Sequence, residues 1–358
     1  MDDKLIWNDP QEIEKMWKEC FTDNHEWIEG YFHNIFKREN NLIAKYDETI
    51  VSSLMIEPYE MSYAGSTIST GYIMGAMTSP RYRNHGFMAS LMKDTLNFAN
   101  SRNTTLLTLI PANEELYFFY DKFGFSTVFY VNEEHYTELH DFHPSGNCHI
   151  LENLSIDEMY GFFHRYELNM DYRILHSKQN FENVLWDLGT DGGKVIAVGK
   201  DSELEGLAFT VPVDENKGVL IKELCALNDN IKPCILEAVK LAYLGKPITL
   251  IDNVINCDNI IKSRGMARII DCQALFTILA KTYPAIDTSI KITDPLLSHN
   301  NHVFRLRGGE CIIDDKEQVN AANVLDIKTL AGVLFNTPST GELFGLRSHR
   351  PSMSLMLD

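Results

Sequence analysis

The sequence lacks several features that would assign it to a class directly. Its 358 residues contain no run of 18 apolar residues, and the first residues show no basic segment followed by an apolar one. Neither a transmembrane helix nor a secretory signal is therefore expected. Positive charge is scarce, with 32 Lys and Arg residues against 50 Asp and Glu residues. The net charge of −18 opposes binding to nucleic acid or an anionic membrane and favours cationic partners. We expect a cytoplasmic protein.

Cysteine is sparse and irregularly spaced. The seven cysteines include no C-x-x-C pair, and their odd number argues against a disulfide framework. His299, His302 and His349 stand singly near the carboxyl end and are not spaced like zinc ligands. The sequence thus predicts reduced, packed thiols and no metal site.

The pattern of apolar residues predicts an α/β (α+β) chain of three domains, since a domain usually holds roughly 100–200 residues. Two helices and a hairpin precede a strand at residues 72–78, which a basic loop, a helix from Gly86 and a strand at residues 104–110 follow. This order forms a βαβ unit. A similar order restarts near residue 141, and the pattern changes again near Ala267. The predicted helix caps are Asp9, followed by Pro10 at the first helical position, Asp271 and Asp326. The predicted domains are residues 1–140, 141–265 and 266–358.

Positive charge is concentrated between that strand and that helix. Arg81, Arg83 and Lys93 fall there, and residues 81–93 contain no acidic residue. A helix N terminus offers unpaired backbone N–H groups and a partial positive charge, which together can bind a diphosphate. Gly86 would let the main chain approach the phosphate without a Cβ atom in the way. Taken alone, the loop could equally be a surface turn with solvated arginines.

Two segments resemble the signature segments of the GNAT acetyltransferases. R-x-x-G at residues 83–86 leads into a helix, and residues 113–125 read NEELYFFYDKFGF. The domain order and the arginine-led loop resemble more closely the enhanced-intracellular-survival (Eis) group. That resemblance implies two tandem GNAT-like domains with mixed central sheets, the second without a cofactor loop, and a C-terminal sterol-carrier-protein-like domain. It also implies a homo-oligomer such as a hexamer.

The resemblance further implies acetyl-coenzyme A (acetyl-CoA) as co-substrate. The strand backbone would pair with the pantetheine arm, the loop would hold the pyrophosphate through main-chain N–H groups, and an asparagine would lie near the cofactor. The cofactor-binding residues expected on this basis are Ala76, Met77, Thr78, Arg83, Asn84, His85, Gly86, Phe87, Met88, Ala89 and Asn113.

Tyr120 is the predicted general acid, because a phenol is protonated at neutral pH and can give its proton to the leaving thiolate. Tyr117 and Phe118 are interpreted as an ordinary aromatic helix face. The resemblance implies that the base is the terminal carboxylate, here that of Asp358. Residues 353–357 are too apolar for a comfortably solvated tail, although a frayed terminus is the commoner fate of a chain end.

Asp23, Glu26 and Trp27 match the region that lines the acceptor mouth in the family. Carboxylates and an indole suit a cationic amine, and a solvated helix face explains them equally well. Residues 222–230 of the middle domain contain no R-x-x-G, so that domain is not expected to bind coenzyme A. The sequence predicts direct acetyl transfer to an amine such as an aminoglycoside or polyamine. Acetylation of a peptide or protein lysine and a non-catalytic acyl-CoA- or lipid-binding module are the alternatives.

Overall fold

The computed structural model describes residues 9–144, 148–213, 218–252, 261–314, 323–335, 344–345 and 350–357. The chain divides into two compact units. The first unit comprises residues up to Phe129 together with Arg264–Pro351, and the second comprises Tyr130–Ser263 together with Ser352–Leu357. No helix in the described ranges is long and apolar enough to cross a membrane.

Two capped helices open the first unit. They are α1 (Pro10–Cys20) and α2 (His25–Asn34). The side chain of Asp9 accepts a hydrogen bond from the Gln11 N–H at 3.0 Å, and that of Asn24 accepts from the Trp27 N–H at 2.7 Å. Such caps satisfy N–H groups that the helix itself leaves unpaired. The predicted start of a helix at Asp9 and Pro10 is confirmed.

A mixed sheet follows in the first unit. Its elements are β1 (Asn41–Tyr46), β2 (Thr49–Tyr63), β3 (Ser66–Thr78), α3 (Phe87–Ser101), β4 (Leu106–Leu109), α4 (Glu114–Asp121) and the start of β5 (Ser126–Tyr136), which continues into the second unit from Tyr130. The first three strands form an antiparallel meander, and β4 lies parallel to β3. The predicted strand, helix and strand order is confirmed. Strand β3 begins at Ser66, whereas the predicted strand begins at residue 72. Its hairpin partner β2 is correspondingly long, and its alternation of buried and exposed residues continues to Tyr63.

The core of this sheet lies on the face covered by α3 and α4. Leu91 and Leu96 of α3, Leu107 of β4 and Phe125 are fully buried there. This packing fixes the start of α3 relative to the end of β3, because the two elements share one apolar interior.

The second unit repeats the order of the first. Its elements are β6 (His149–Ile150), α5 (Ile156–Leu168), β7 (Ile174–Leu175), α6 (Lys178–Thr190), β8 (Lys194–Lys200), β9 (Glu203–Pro212), β10 (Val219–Ala226), α7 (Ile231–Ala242) and β11 (Ile248–Asp252). Strands β8, β9 and β10 form an antiparallel meander, and β11 lies parallel to β10 after the crossover helix α7. Two helices, a meander, a crossover helix and a parallel strand therefore occur twice, as the tandem GNAT-like prediction requires.

The chain returns to the first unit within β12 (Ile261–Ile269), which pairs antiparallel with β4. The elements that follow are α8 (Cys272–Thr282), β13 (Thr288–Thr293), β14 (Val303–Arg307), β15 (Glu310–Ile313), β16 (Asn323–Asp326) and α9 (Ile327–Phe335). The four strands form a separate sheet in the order β15, β14, β13, β16. Asp271 and Asp326 cap α8 and α9 as predicted, accepting from Ala274 and Thr329 N–H groups at 3.0 and 2.7 Å.

Candidate active site

Strands β3 and β4 separate toward one end of the first unit's sheet. They pair only from Thr70 with Leu106 to Ile73 with Leu109, whereas β3 continues to Thr78. Beyond Ile73, no strand in the described ranges pairs with that edge of β3, while β2 pairs with its other edge. Ala76, Met77 and Thr78, the predicted partners of a pantetheine arm, lie on this free stretch.

Gly75 marks a bulge at the start of the free stretch, with φ of +57°. A Cβ atom there would lie 2.4 Å from Cζ3 of Trp17 and 2.7 Å from Cε of Met55. The close approach of Trp17 to the backbone thus requires glycine. The bulge holds α1 against the strand at the level where the pairing with β4 has ended.

The basic loop after β3 is tied back to that strand. The Thr78 carbonyl accepts hydrogen bonds from Nε of Arg83 at 3.2 Å and from Sγ of Cys20 at 3.4 Å. Nδ1 of His85 lies 2.8 Å from the Arg83 carbonyl. Asn84 and Gly86 take left-handed φ angles of +64° and +83°. The loop therefore turns sharply twice before α3 begins.

These turns leave a run of backbone donors unpaired. Within the described ranges, the N–H groups of residues 84–89 donate to no protein acceptor, and the first bond of α3 joins the Ser90 N–H to the Gly86 carbonyl at 2.9 Å. Gly86 provides no side-chain cap, and the first turn of α3 carries no acidic residue. Free amides at a helix N terminus form an anion-binding site. The predicted pyrophosphate residues are thus brought together in a suitable conformation.

Tyr120 lies on α4 with its ring 5.8 Å from that of Phe125 and 5.3 Å from that of Phe119. The side chain is 7% exposed, and burial raises the pKa of its phenol to about 12. Its hydroxyl makes no hydrogen bond to the described part of the protein. Tyr120 therefore presents a protonated, unused donor, whereas Phe118 on the same helix is 74% exposed.

Asn113 caps α4 rather than projecting freely. Its Oδ1 accepts from the Leu116 N–H at 3.1 Å, which leaves Nδ2 as the group that a ligand could contact. After the helix, Gly124 has φ of +83°, and a Cβ there would lie 2.8 Å from Nε of Arg268. The Phe-Gly-Phe sequence thus has a packing reason in this fold.

Aromatic rings cluster at α1 and α2, where the acceptor residues were predicted. Nε1 of Trp17 donates to Oδ2 of Asp23 at 2.7 Å, and Trp27 stacks on Tyr31 with centroids 5.2 Å apart. Trp17 contacts both Trp27 and Tyr31, at 5.7 and 5.3 Å. Asp23 and Trp27 thus belong to one cluster, while Glu26 lies exposed in the first turn of α2.

Sequence reasoning missed Glu57 on β2. This carboxyl is 6% exposed, its Oε1 has no hydrogen-bond partner within the described ranges, and its Oε2 lies 3.5 Å from Nδ2 of Asn40. Burial raises the pKa of Glu57 to about 7, against the opposing effect of Lys37. The signal was available, because Glu57 occupies the same alternating positions as the buried Tyr59 and Met61.

The predicted base, the carboxylate of Asp358, lies outside the described residues. The tail before it packs in the second unit, where Met353, Leu355, Met356 and Leu357 are at most 4% exposed. The prediction that this segment is too apolar to be solvated is confirmed.

Buried charges anchor the tail. Nδ1 of His176 lies 2.8 Å from Glu167, and Nε2 lies 3.1 Å from the Leu355 carbonyl oxygen. Arg173 donates to Ser354 at 3.0 Å and lies 3.3 Å from Glu223. A buried imidazole, a buried guanidinium and two buried carboxylates thus hold the last described residues.

The second unit has no counterpart of the basic loop. Its crossover from β10 to α7 takes four residues, 227–230, against eight residues, 79–86, in the first unit. None of residues 227–230 has positive φ, and Asp229 lies beside the helix start. An anion would therefore find no suitable cradle there.

A cavity of about 520 Å³ lies beside the basic loop. It is lined by Glu12, Lys15, Met16, Glu19, Glu48, Thr49, Ile50, Ser79, Arg81 and Tyr82. Neither Tyr120 nor Glu57 lines it, so it is not the place where these groups could act. No group of three or more His, Cys, Asp or Glu side chains in the described ranges could hold a metal ion.

Two known domain families match parts of the chain. Residues 7–128 match the model of an acetyltransferase (GNAT) domain, and residues 275–347 match that of a sterol carrier protein domain. A search of curated proteins finds no match.

Several solved structures share the fold. A GCN5-related N-acetyltransferase from Anabaena variabilis is 16% identical, with 95% of this chain and 91% of that chain covered and a TM-score of 0.73. Eis1 from Mycobacterium abscessus is 15% identical, with coverage of 96% and 93% and a TM-score of 0.74. A GCN5-related N-acetyltransferase from Kribbella flavida is 12% identical, with coverage of 92% and 87% and a TM-score of 0.69.

The chain therefore carries a GNAT acetyltransferase domain and is an acyltransferase, a class for which acetyl-CoA is the implied co-substrate. It shares the fold of the Eis protein from M. abscessus and has a C-terminal sterol carrier domain, which confirms the resemblance inferred from the sequence.

Proposed function

We propose that this protein transfers the acetyl group of acetyl-CoA directly to the amine of a cationic small molecule. The observation that carries the proposal is the run of unpaired N–H groups at residues 84–89, between a strand with a free edge and a helix without an acidic first turn. Such a group of donors suits the pyrophosphate of coenzyme A.

The pantetheine arm would then extend along the free edge of β3. From Thr78 to Ile73 the strand spans about 17 Å, at roughly 3.3 Å for each residue. In this proposal Ala76, Met77 and Thr78 pair with the arm, Arg83–Ala89 surround the pyrophosphate, and Asn113 contacts the cofactor through Nδ2. The thioester would lie near the level of Met74.

Tyr120 is proposed to donate to the sulfur as the C–S bond breaks. Its pKa of about 12 lies well above the pKa of an ordinary thiol, about 8.5, so full proton transfer to a finished thiolate would be uphill. A hydrogen bond to the developing negative charge carries no such penalty. The high pKa of Tyr120 therefore favours stabilisation of the leaving sulfur by a hydrogen bond, with the phenol proton moving to the sulfur afterwards.

The terminal carboxylate of Asp358 remains the base that the resemblance implies. The apolar residues of the tail that precedes it, Met353, Leu355, Met356 and Leu357, are buried. Deleting Leu357 and Asp358 is expected to abolish turnover if this carboxylate is essential, and an unchanged rate would exclude it.

Asp23, Glu26 and Trp27 are proposed to receive the acceptor. Their carboxylates and indole, and the net charge of −18, favour an aminoglycoside or polyamine over an anionic acceptor. A homo-oligomer in the cytoplasm stays a prediction from the resemblance.

The test is release of free thiol from acetyl-CoA in the presence of aminoglycosides, polyamines and lysine peptides. We expect thiol release with a small cationic amine and heat on adding acetyl-CoA in calorimetry. Activity with lysine peptides alone would correct the substrate class. Absence of both heat and thiol release would overturn the proposal.

A further inference from the structure

Burial of the Glu57 carboxyl destabilises the folded protein. A carboxyl group that is 6% exposed, with one oxygen unpaired and the other 3.5 Å from an amide, loses the hydration that it has in the unfolded chain. Buried polar atoms are paired in most proteins, and an exception asks for a functional reason. Methionine would fill about the same space without this cost.

The position of Glu57 in the sheet supplies the reason. Glu57 pairs directly with Tyr72, one residue from the last rung that joins β3 to β4 at Ile73 and Leu109. The pair formed by Ile73 and Leu109 is the vertex at which the free edge of β3 ends. A pantetheine arm that runs along the free edge from Thr78 ends there, so its thioester, near the level of Met74, comes within two residues of the Glu57–Tyr72 pair.

The neighbours of Glu57 lead toward the proposed acceptor side. Burial, and after it the charge of Glu57, raises the pKa of Tyr31 on α2, and the Tyr31 hydroxyl donates to Sδ of Met74 at 3.9 Å. The Tyr31 ring in turn contacts Trp17 and Trp27 of the aromatic cluster. A carboxylate, a row of aromatic rings and the end of the free strand edge therefore meet on one face of the sheet.

We propose that Glu57 takes the proton from the acceptor ammonium within the acetyltransferase domain. This inference rests on the proposed function. The ammonium gives one proton to the Glu57 carboxylate, and the amine nitrogen then forms a bond to the thioester carbon. As the C–S bond breaks, the nitrogen loses a second proton and the sulfur gains one. Glu57 returns its proton to solvent after product leaves, and the net reaction releases one proton.

The charged groups around Glu57 suit this cycle. Lys37 lowers its pKa and Glu39 raises it, Tyr31 faces it from α2, and Asn40 links it to Nη1 of Arg102, which lies 3.4 Å from Oδ1 of Asn40. Burial outweighs these effects and brings the pKa to about 7. A base is most effective when its pKa lies near the working pH.

The experiment compares Glu57→Gln with wild type, using whichever amine of the panel gives the fastest thiol release. We expect kcat to fall roughly 10²-fold or more, as for removal of a general base. The acid limb of the wild-type kcat/KM profile, expected near pH 7, should disappear in the variant. The dissociation constant for acetyl-CoA in calorimetry should stay unchanged.

Glu60→Gln is the matched control, because Glu60 lies exposed on the same strand and undergoes the same chemical change. Partial activity in Glu57→Asp, with the pH limb retained, would support a direct proton transfer. A Glu57→Gln enzyme with wild-type kcat and pH profile would overturn the proposal. Loss of that pH limb on deleting Leu357 and Asp358, with Glu57→Gln unaffected, would give the role to the terminal carboxylate. If wild type itself neither binds acetyl-CoA nor releases thiol, the proposed function fails instead.

Discussion

The buried carboxyl of Glu57 makes a prediction about stability that does not depend on catalysis. Its pKa rises from 4.5 to about 7 on burial, so the folded protein holds this proton more tightly than the unfolded chain. The contribution of Glu57 to the free energy of unfolding is then greatest at low pH, falls as the pH rises from about 4.5 to 7, and levels off above 7. The rise in the pKa of Glu57 corresponds to about 3 kcal/mol in the free energy of unfolding over the whole titration, at about 1.4 kcal/mol for each pKa unit.

Glu57→Gln removes this titration while keeping the shape of the side chain. The variant should therefore gain stability relative to wild type by about 2.5 kcal/mol between pH 5 and pH 8, because the unfolded chain is already largely ionised at pH 5. For a unit of this size, roughly 2–4 °C in Tm accompanies each kcal/mol, so the gap in Tm should widen by roughly 5–10 °C. Thermal scans of both proteins in buffers from pH 5 to 8.5 measure it.

Comparison of the two curves makes the test sharp, because every other titrating group is common to both proteins. Glu60→Gln is again the matched control, since the exposed Glu60 lies on the same strand and undergoes the same chemical change. Parallel curves for Glu57→Gln and wild type would refute the argument, because they would mean that Glu57 ionises equally easily in the folded and unfolded chain.

Three further substitutions test the cofactor loop, the donor and the tail. Gly86→Ala should weaken acetyl-CoA binding roughly tenfold in calorimetry, because alanine resists φ of +83°. Gly65→Ala, at φ of +73° in an equally open turn, is the control and should leave binding intact. Equal losses of affinity in the two variants would contradict the prediction. Tyr120→Phe should lower kcat roughly 10²-fold and preserve acetyl-CoA affinity, and a parallel loss of binding would mark a structural tyrosine. Arg173→Met should destabilise the second unit by about 3–5 kcal/mol and expose the tail to carboxypeptidase, since Glu223 loses the buried guanidinium 3.3 Å away and Ser354 loses its donor. A wild-type resistance to digestion would argue against the anchor.

Much of the first unit followed from local sequence signals. The caps at Asp9, Asp271 and Asp326 and the order from β1 to β4 were predicted, because capping and periodicity are encoded within a few residues. Helices α5 and α6 were not predicted, although Ser155 with Glu158 and Ser177 with Asn180 form capping boxes. That signal was present and overlooked.

Other features depend on contacts between distant segments. Strand β12 was not predicted. Its Arg268 is fully buried, and the guanidinium donates two hydrogen bonds of 2.8 Å to the Asp294 carboxylate and one of 2.7 Å to the Phe123 carbonyl. An arginine in a local window indicates exposure, so only the partners far along the chain explain this burial. The anchoring of the tail by His176 is of the same kind, because residues 176 and 355 meet only in the folded chain.

The two GNAT-like units provide an internal comparison of fold and site. Each has a meander followed by a crossover helix and a parallel strand, yet only the crossover after β3 carries the left-handed turns at Asn84 and Gly86 that leave six consecutive N–H groups unpaired. The crossover after β10 is half as long and places Asp229 at the helix start. Since the same fold order occurs with and without the cradle, the fold alone does not specify acetyl-CoA binding. Under the proposed function, the determinant is the eight-residue connection and the free edge of β3 beside it. Substitutions in the loop, rather than in the shared core, are therefore expected to separate binding from folding.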